Sequence, residues 1–359
     1  MNFIPEKIIN KNNHTNNLSI KIKNAVFASL ILFLLFFFIR HPKESVLACT
    51  QGMKLWLNTL IPTLLPFMIL TSILIQTNTI DFLFQPLKPL WKILFGLSPQ
   101  GVYAFFTGIL CGYPMGARIT SDLYENQKIS KREAHYLLTF SNNASPAFII
   151  NYLYLTCLNK RTSLREIFFT LLISTFLCML FFRFIIYHNY TINFKKEIIL
   201  KGNESSNQRT LSINNKPEIS NLLSDTNNSK KETSTASSFG TIIDVSIMNG
   251  FETITRLGGY ILLFSLISAV INHYHVFPYT LRLLLSGSAE LTTGLYQISQ
   301  SHMPYLLKYT FSTALTAFGG FSIMAQTRSV VHKQLSITPY ICAKLLNTII
   351  CILLITSRA

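Results

Sequence analysis

The chain has 359 residues, 49% of them hydrophobic and only 13% charged, and a formal net charge of +16 at pH 7. Soluble domains carry about 25% charged residues, so this deficit, with apolar runs near bilayer length, argues against a soluble fold and for an all-α polytopic membrane protein. The 31 Lys and Arg lie between apolar runs and form no stripe with interleaved aromatics, which argues against nucleic acid and assigns them to orientation and to anionic lipid.

Residues 1–24 form a polar, basic tail. The first apolar run, Ala25 to Ile39, is slightly short for a full span. With Lys21 and Lys23 before it and "SVLACTQG" after it, it looks like a lipoprotein signal. Arg40, His41, Lys43 and Glu44 separate the apolar core from that site, so a retained anchor is the better reading. Leu55 to Ile75 follows with Pro62 and Pro66, which membrane helices tolerate when neighbours satisfy the freed carbonyls. "FLFQPLKPLWKILFGLSP" reads as an interfacial helix or hairpin arm. Val102 to Tyr113 leads into "GILCGYPMGARITSDL", where Pro114 restricts the preceding residue. One helix therefore ends near Gly112 and another begins after Met115, with Arg118 and Asp122 one turn apart.

Ser130 and Glu133 have capping-box spacing, so a helix starts near Ser130. It carries Ala134 to Phe140 into a second interruption, "SNNASPAF", and the apolar pattern resumes from Phe148 to Leu158. Ile167 to Tyr187 is the cleanest span of this half. Residues 189–240, rich in Asn, Ser, Thr and Lys, cannot bury enough apolar surface to offset ordering entropy and read as a disordered linker. The linker divides one membrane half, 25–188, from another, 241–359. The second opens with an amphipathic lead-in, Ile243, Ile247, Phe251 and Ile254 sharing a face, and passes into a span from Leu257 to Ile271. "LRLLLSGSAELTTGLYQIS" and "YLLKYTFSTALTAFGGFSIMAQT" follow, then a final span from Tyr340 to Thr356. The total is about eight spanning or half-spanning units.

The halves repeat one another in order and spacing. "GILCGYPMG" (Gly108 to Gly116) corresponds to "GSAELTTG" (Gly287 to Gly294), and "SNNASPAF" (Ser141 to Phe148) to "AFGGFSIMAQ" (Ala317 to Gln326). Paired, interrupted apolar segments point to a transport site, because unwound backbone is tolerable in a membrane only where it lines a cavity or is buried in protein. Glu290 stands out as an acid at membrane depth, able to bind a cation, a proton or a solute hydroxyl. The plainer alternative is an interfacial residue, or one paired with Arg282 or Arg256. Asn142, Asn143 and Ser145 offer neutral donors and acceptors beside Pro146; capping and helix–helix bonding are the competing roles. Ser322 and Gln326 are their second-half counterparts. Gly112, Tyr113, Pro114, Gly116, Gly287, Gly294, Gly319 and Gly320 shape the breaks that would line the site, although small residues are also ordinary helix-packing material.

No catalytic constellation accompanies these breaks. There is no GxSxG, phosphate loop or dinucleotide fingerprint. The six cysteines make no CxxC pair, and "HYH" (His273 to His275) lies in a loop without further ligands. The expectation is a non-enzyme without cofactor or metal.

"CGYPMGARITSDLY" (Cys111 to Tyr124), "ISKREAHYLLTFSNNASPAFI" (Ile129 to Ile149), "SGSAELTTG" (Ser286 to Gly294) and "FGGFSIMAQ" (Phe318 to Gln326) resemble the sporulation integral membrane protein family of the YlbJ type. Each half also resembles a gate, or nucleoside-recognition, domain, a module shared with nucleoside transporters, spore maturation proteins and the membrane part of the ferrous-iron transporter. The resemblance implies a multi-pass protein of the sporulating cell's membrane, required for the spore cortex, and names no substrate. The expected role is a transporter or channel component for a small polar solute or ion. The alternative is a structural or assembly protein whose linker recruits partners. Expected partners are lipid, the solute, and a second copy or other sporulation membrane proteins.

Overall fold

The computed structural model describes residues 24–77, 92–187 and 239–358, and among these every regular element is a helix. The tail before residue 24, most of "FLFQPLKPLWKILFGLSP" and residues 188–238 of the linker region lie outside the described residues.

α1 (Asn24–Arg40) turns by 107° at His41 into α2 (Pro42–Leu55). Pro42 suits the start of the new helix, where its missing N–H has no carbonyl to satisfy. α2 runs on through a wide π-type turn, Trp56–Leu60, into α3 (Ile61–Gln76). The wide turn falls where the Pro62 ring would collide with the carbonyl four residues back, and widening relieves that collision.

α4 (Pro99–Cys111), α5 (Met115–Glu125) and α6 (Lys131–Leu138) follow, with both ends of the first break where the sequence places them. Ser130 caps α6, accepting the Glu133 N–H at 3.2 Å. The reciprocal half of the predicted capping box is replaced by a tertiary contact. Glu133 turns away and takes the backbone N–H and the hydroxyl of Ser98, each at 2.7 Å, joining the starts of α4 and α6. α7 (Pro146–Cys157) is largely π-type, and Thr156 donates to the carbonyl five residues back. α8 (Leu164–Ile186) closes the half.

In the second half α9 (Phe239–His273) is one helix of 35 residues, so lead-in and span are continuous. Its buried face differs from the predicted one. Ile254 is buried, but Phe251 is 50% exposed. The face against α2 and α3 carries Ser246, Gly250, Gly258 and Ser265, while Ser268 meets Ser286 of the following helix. A Cβ on Gly258 would stand 2.6 Å from the Trp56 ring, whose Nε1 donates to the Ile254 carbonyl at 2.8 Å. Lipid is as apolar as leucine, so small residues that allow close approach go inward and large apolar residues can face out.

α10 (Tyr279–Ala289), α11 (Leu291–Gln300), α12 (Tyr305–Phe318), α13 (Gly320–Val330) and α14 (Thr338–Thr356) complete the chain. The order broken pair, helix, break, helix, span thus occurs twice, in α4–α8 and in α10–α14. α8 packs along α14. By length and composition three described helices, α8, α9 and α14, can cross a membrane, and the bent α1–α2 pair makes a fourth if it is one span. The remaining apolar segments of the expected eight units are shorter or broken, and the helices on either side of the first break in each half pack against one another.

Candidate functional site

The first-half breaks are stacked on each other. α4 stops at Cys111 because Gly112 adopts φ +84°, a conformation that side chains disfavour. The following turn, with a cis Tyr113–Pro114 peptide, leads into α5. The second break crosses directly beneath. The Ser141 carbonyl sits where a Cβ on Gly108 or Gly116 would be, 2.0 and 1.9 Å away. Ser145 caps α7, accepting from the Phe148 N–H at 3.2 Å.

The second-half breaks repeat this contact. Gly287 and Gly294 meet so closely that a Cβ on Gly294 would lie 1.9 Å from the Gly287 Cα. Gly320, at φ +85°, places its missing Cβ 3.1 Å from the Ser288 carbonyl. Glu290, 3% exposed, lies between the two helices of the pair. Its Oε2 accepts the Thr293 N–H at 2.7 Å and the Thr292 hydroxyl at 2.5 Å, so it caps α11. It joins neither cation considered for it: Arg256 pairs with Glu252, and Arg282 lies over the Tyr279 ring. Gln326 donates to Ser322 at 3.0 Å within α13. Arg118 and Asp122 form the expected one-turn pair, at 3.5 Å.

The breaks of the two halves also touch. Tyr113 packs beside Gly319 and donates its hydroxyl to the Thr316 carbonyl in the last turn of α12. Tyr152 donates to the Thr292 carbonyl at 2.7 Å, and Asn142 to the Thr327 hydroxyl at 2.9 Å. Lys344, on α14 and 2% exposed, donates to Asn143 Oδ1 at 3.1 Å. Its ammonium stands 5.1 Å from the Tyr113 ring centre and 5.7 Å from that of Tyr340. Among the described residues no carboxylate pairs with it. An amide oxygen and two ring faces are thus the local compensation for this buried cation.

Beside this cluster is a cavity of about 320 Å³. Its polar wall residues are Tyr113, Asn143, Thr175, Thr316 and Asn347, and the rest of the wall is mostly aromatic and aliphatic, with Phe105, Phe140 and Phe168 among it. Asn347 Oδ1 and Asn142 Oδ1 are buried without a hydrogen-bond partner. Of the sequence candidates, Asn143 and Tyr113 line the cavity, while Asn142 adjoins it through the same break. Gly112 and Ser145 border a smaller space of about 50 Å³ that shares Tyr113. Glu290, Ser322 and Gln326 are not on the wall of the main cavity. Lys344 and Asn347 were missed. Their signal was present: a lysine and an asparagine three apart in a mainly apolar stretch, "YICAKLLNTII".

Residues 57–192 match the family model described as Gate: Nucleoside recognition. Over 352 residues, 92% of this chain and 81% of its relative, the sequence is 26% identical to the sporulation integral membrane protein YlbJ of Bacillus subtilis (strain 168). The chain is similar to the YlbJ-type sporulation proteins. No solved structure matches it. The gate match covers α4 to α8 and so contains most of the cavity wall, with Thr316, Ala317 and Asn347 of the second half closing it. The protein is therefore a multi-pass membrane protein with a YlbJ-like chain and a gate segment around the cavity of about 320 Å³.

Proposed function

We propose that this protein carries a small solute across the membrane of the sporulating cell, without covalent chemistry, and that cortex formation depends on that passage. The supporting observation is the cavity bounded by breaks of both halves, with Asn143 on its wall held by the buried Lys344 ammonium. About 320 Å³ is at the small end of ligand pockets, which run from roughly 300 to 1,000 Å³. A wall of aromatic rings with a few amides suits a solute with a flat apolar face and a polar edge better than a bare ion. A nucleoside, the ligand class in the gate description, has that character.

The test is complementation of a sporulating strain lacking the protein. Lys344→Met and Asn143→Leu, made at wild-type abundance, are expected to abolish heat-resistant spores and to alter the small-molecule content of the developing spore. A chain lacking residues 203–234 is expected to sporulate normally. Normal spores from both point variants, with failure of the deletion, would sink the transport reading and favour an assembly role for the linker.

A further inference from the structure

Far from the cavity along the chain, three residues converge at the ends of helices. His41 occupies the α1–α2 bend, Glu44 the first turn of α2, and His273 the last turn of α9. We propose that His41, Glu44 and His273 hold a divalent transition-metal ion of the zinc type, fastening the α1–α2 bend to the end of α9.

The distances carry the argument. His41 Nδ1 is 3.7 Å from Glu44 Oε2, and His273 Nδ1 is 3.6 Å from Glu44 Oε1. One donor atom from each residue falls within 4.8 Å of the other two. Separations of this size are too long for hydrogen bonds. They are near the roughly 3.4 Å expected between two ligands of one tetrahedral ion with bonds of about 2.0–2.1 Å. The rings are held without using their nitrogens. Their centres are 3.9 Å apart, and Phe37 packs against both, at 5.0 Å from His41 and 5.4 Å from His273. Tyr274 stands edge-on to His273 at 5.0 Å. Among the described residues neither imidazole makes a hydrogen bond, so both nitrogens that face Glu44 are available to an ion.

Donor chemistry narrows the ion. Two imidazoles and one carboxylate suit zinc, cobalt, nickel or ferrous iron. They do not suit magnesium or calcium, which prefer oxygen alone, or cuprous copper, which prefers sulfur. Three protein ligands leave a position for water, and the half-exposed Glu44 gives solvent access. Sequence spacing hides the site, since residue 273 lies over two hundred positions from its partners. The proposal is independent of the transport reading.

The experiment uses the full chain in lipid nanodiscs, purified through a tag without histidines. Co²⁺ is added while its visible absorption is followed, and Zn²⁺ is then used to displace it. The expected result is one ion per chain, with affinity about tenfold or more weaker in Glu44→Gln and His273→Ala. Zn²⁺ should raise the unfolding midpoint of the wild type but not of the variants, and all three should unfold alike in EDTA. Glu44→Gln keeps the side-chain shape, so the test survives if His273→Ala does not fold. No saturable binding, binding unchanged in Glu44→Gln, or a variant defect as large in EDTA as in Zn²⁺ would overturn the proposal.

Discussion

Glu290 and Lys344 invite opposite readings from sequence and exchange roles in the structure. Glu290 draws notice as an acid in a greasy segment, yet its carboxylate turns back on the first turn of α11 and satisfies that helix's free donors. A helix N-terminus also favours negative charge. Glu290→Ala should therefore destabilise the folded protein by roughly 1–2 kcal/mol, while Glu290→Gln, which keeps an acceptor oxygen, should cost about half as much or less. Denaturant unfolding in detergent measures both, and equal losses would contradict the capping role. The cap was not legible, since glutamate is not among the residues that usually start a helix and Leu291 parts it from the two threonines. Lys344 was not legible either, because an apolar run with one lysine reads as a span whose lysine reaches for the interface. Only the fold shows that this one points at Asn143.

Among the elements, the helix breaks were the most legible features, because glycine and proline act locally whatever packs around them. The span count and the buried face of α9 were much less so. Both depend on what each helix meets, and apolar periodicity does not separate a lipid-facing row from a core-facing one. Two glycines test the packing logic. Gly116→Ala sets a methyl 1.9 Å from the Ser141 carbonyl, a backbone atom, and should destabilise by about 1–3 kcal/mol or more. Gly259→Ala, with nothing within 4 Å, should be neutral or stabilise by up to about 1 kcal/mol. A thermal melt of the two variants side by side decides the point. A third test concerns the joint between α6 and the segment before α14, where the Ser336 N–H donates to His135 Nε2 at 2.9 Å. Burial, then the Lys131 charge, lowers the His135 pKa from its usual 6.5. The folded state thus favours the neutral ring, and the unfolded chain takes up a proton first as pH falls. Stability should decline from about pH 6.5 downward until the folded-state ring also protonates, and His135→Gln should flatten that part of the pH–stability curve.

At the scale of the whole molecule, the repeat was visible in the order of its interruptions, although the halves share little identity. The structure gives the order a physical content: in each half glycines bring the two breaks together, at the Ser141 carbonyl beneath Gly108 and Gly116 in the first and at Gly320 beside the Ser288 carbonyl in the second. The cavity does not sit evenly between the halves. It lies mainly in the gate-matched half, with the other half supplying one wall. That asymmetry was hidden from the sequence, where matched motifs suggest matched contributions. It also explains why second-half candidates such as Gln326 lie off the wall.

The hydroxyl of Tyr113 reaches from one half to the carbonyl of Thr316 in the other, beside the chain reversal at Gly319. That carbonyl is at the end of a helix, with no amide of its own helix to satisfy it. Any motion that swings the tyrosine aside strips the carbonyl of its donor in a water-poor setting, a loss of about 1–3 kcal/mol unless something replaces it. Water or an incoming molecule with an N–H or O–H group must then take the tyrosine's place. Separation of the two halves at this point therefore carries the cost of re-satisfying one buried carbonyl, and a replacement donor at Thr316 lowers that cost.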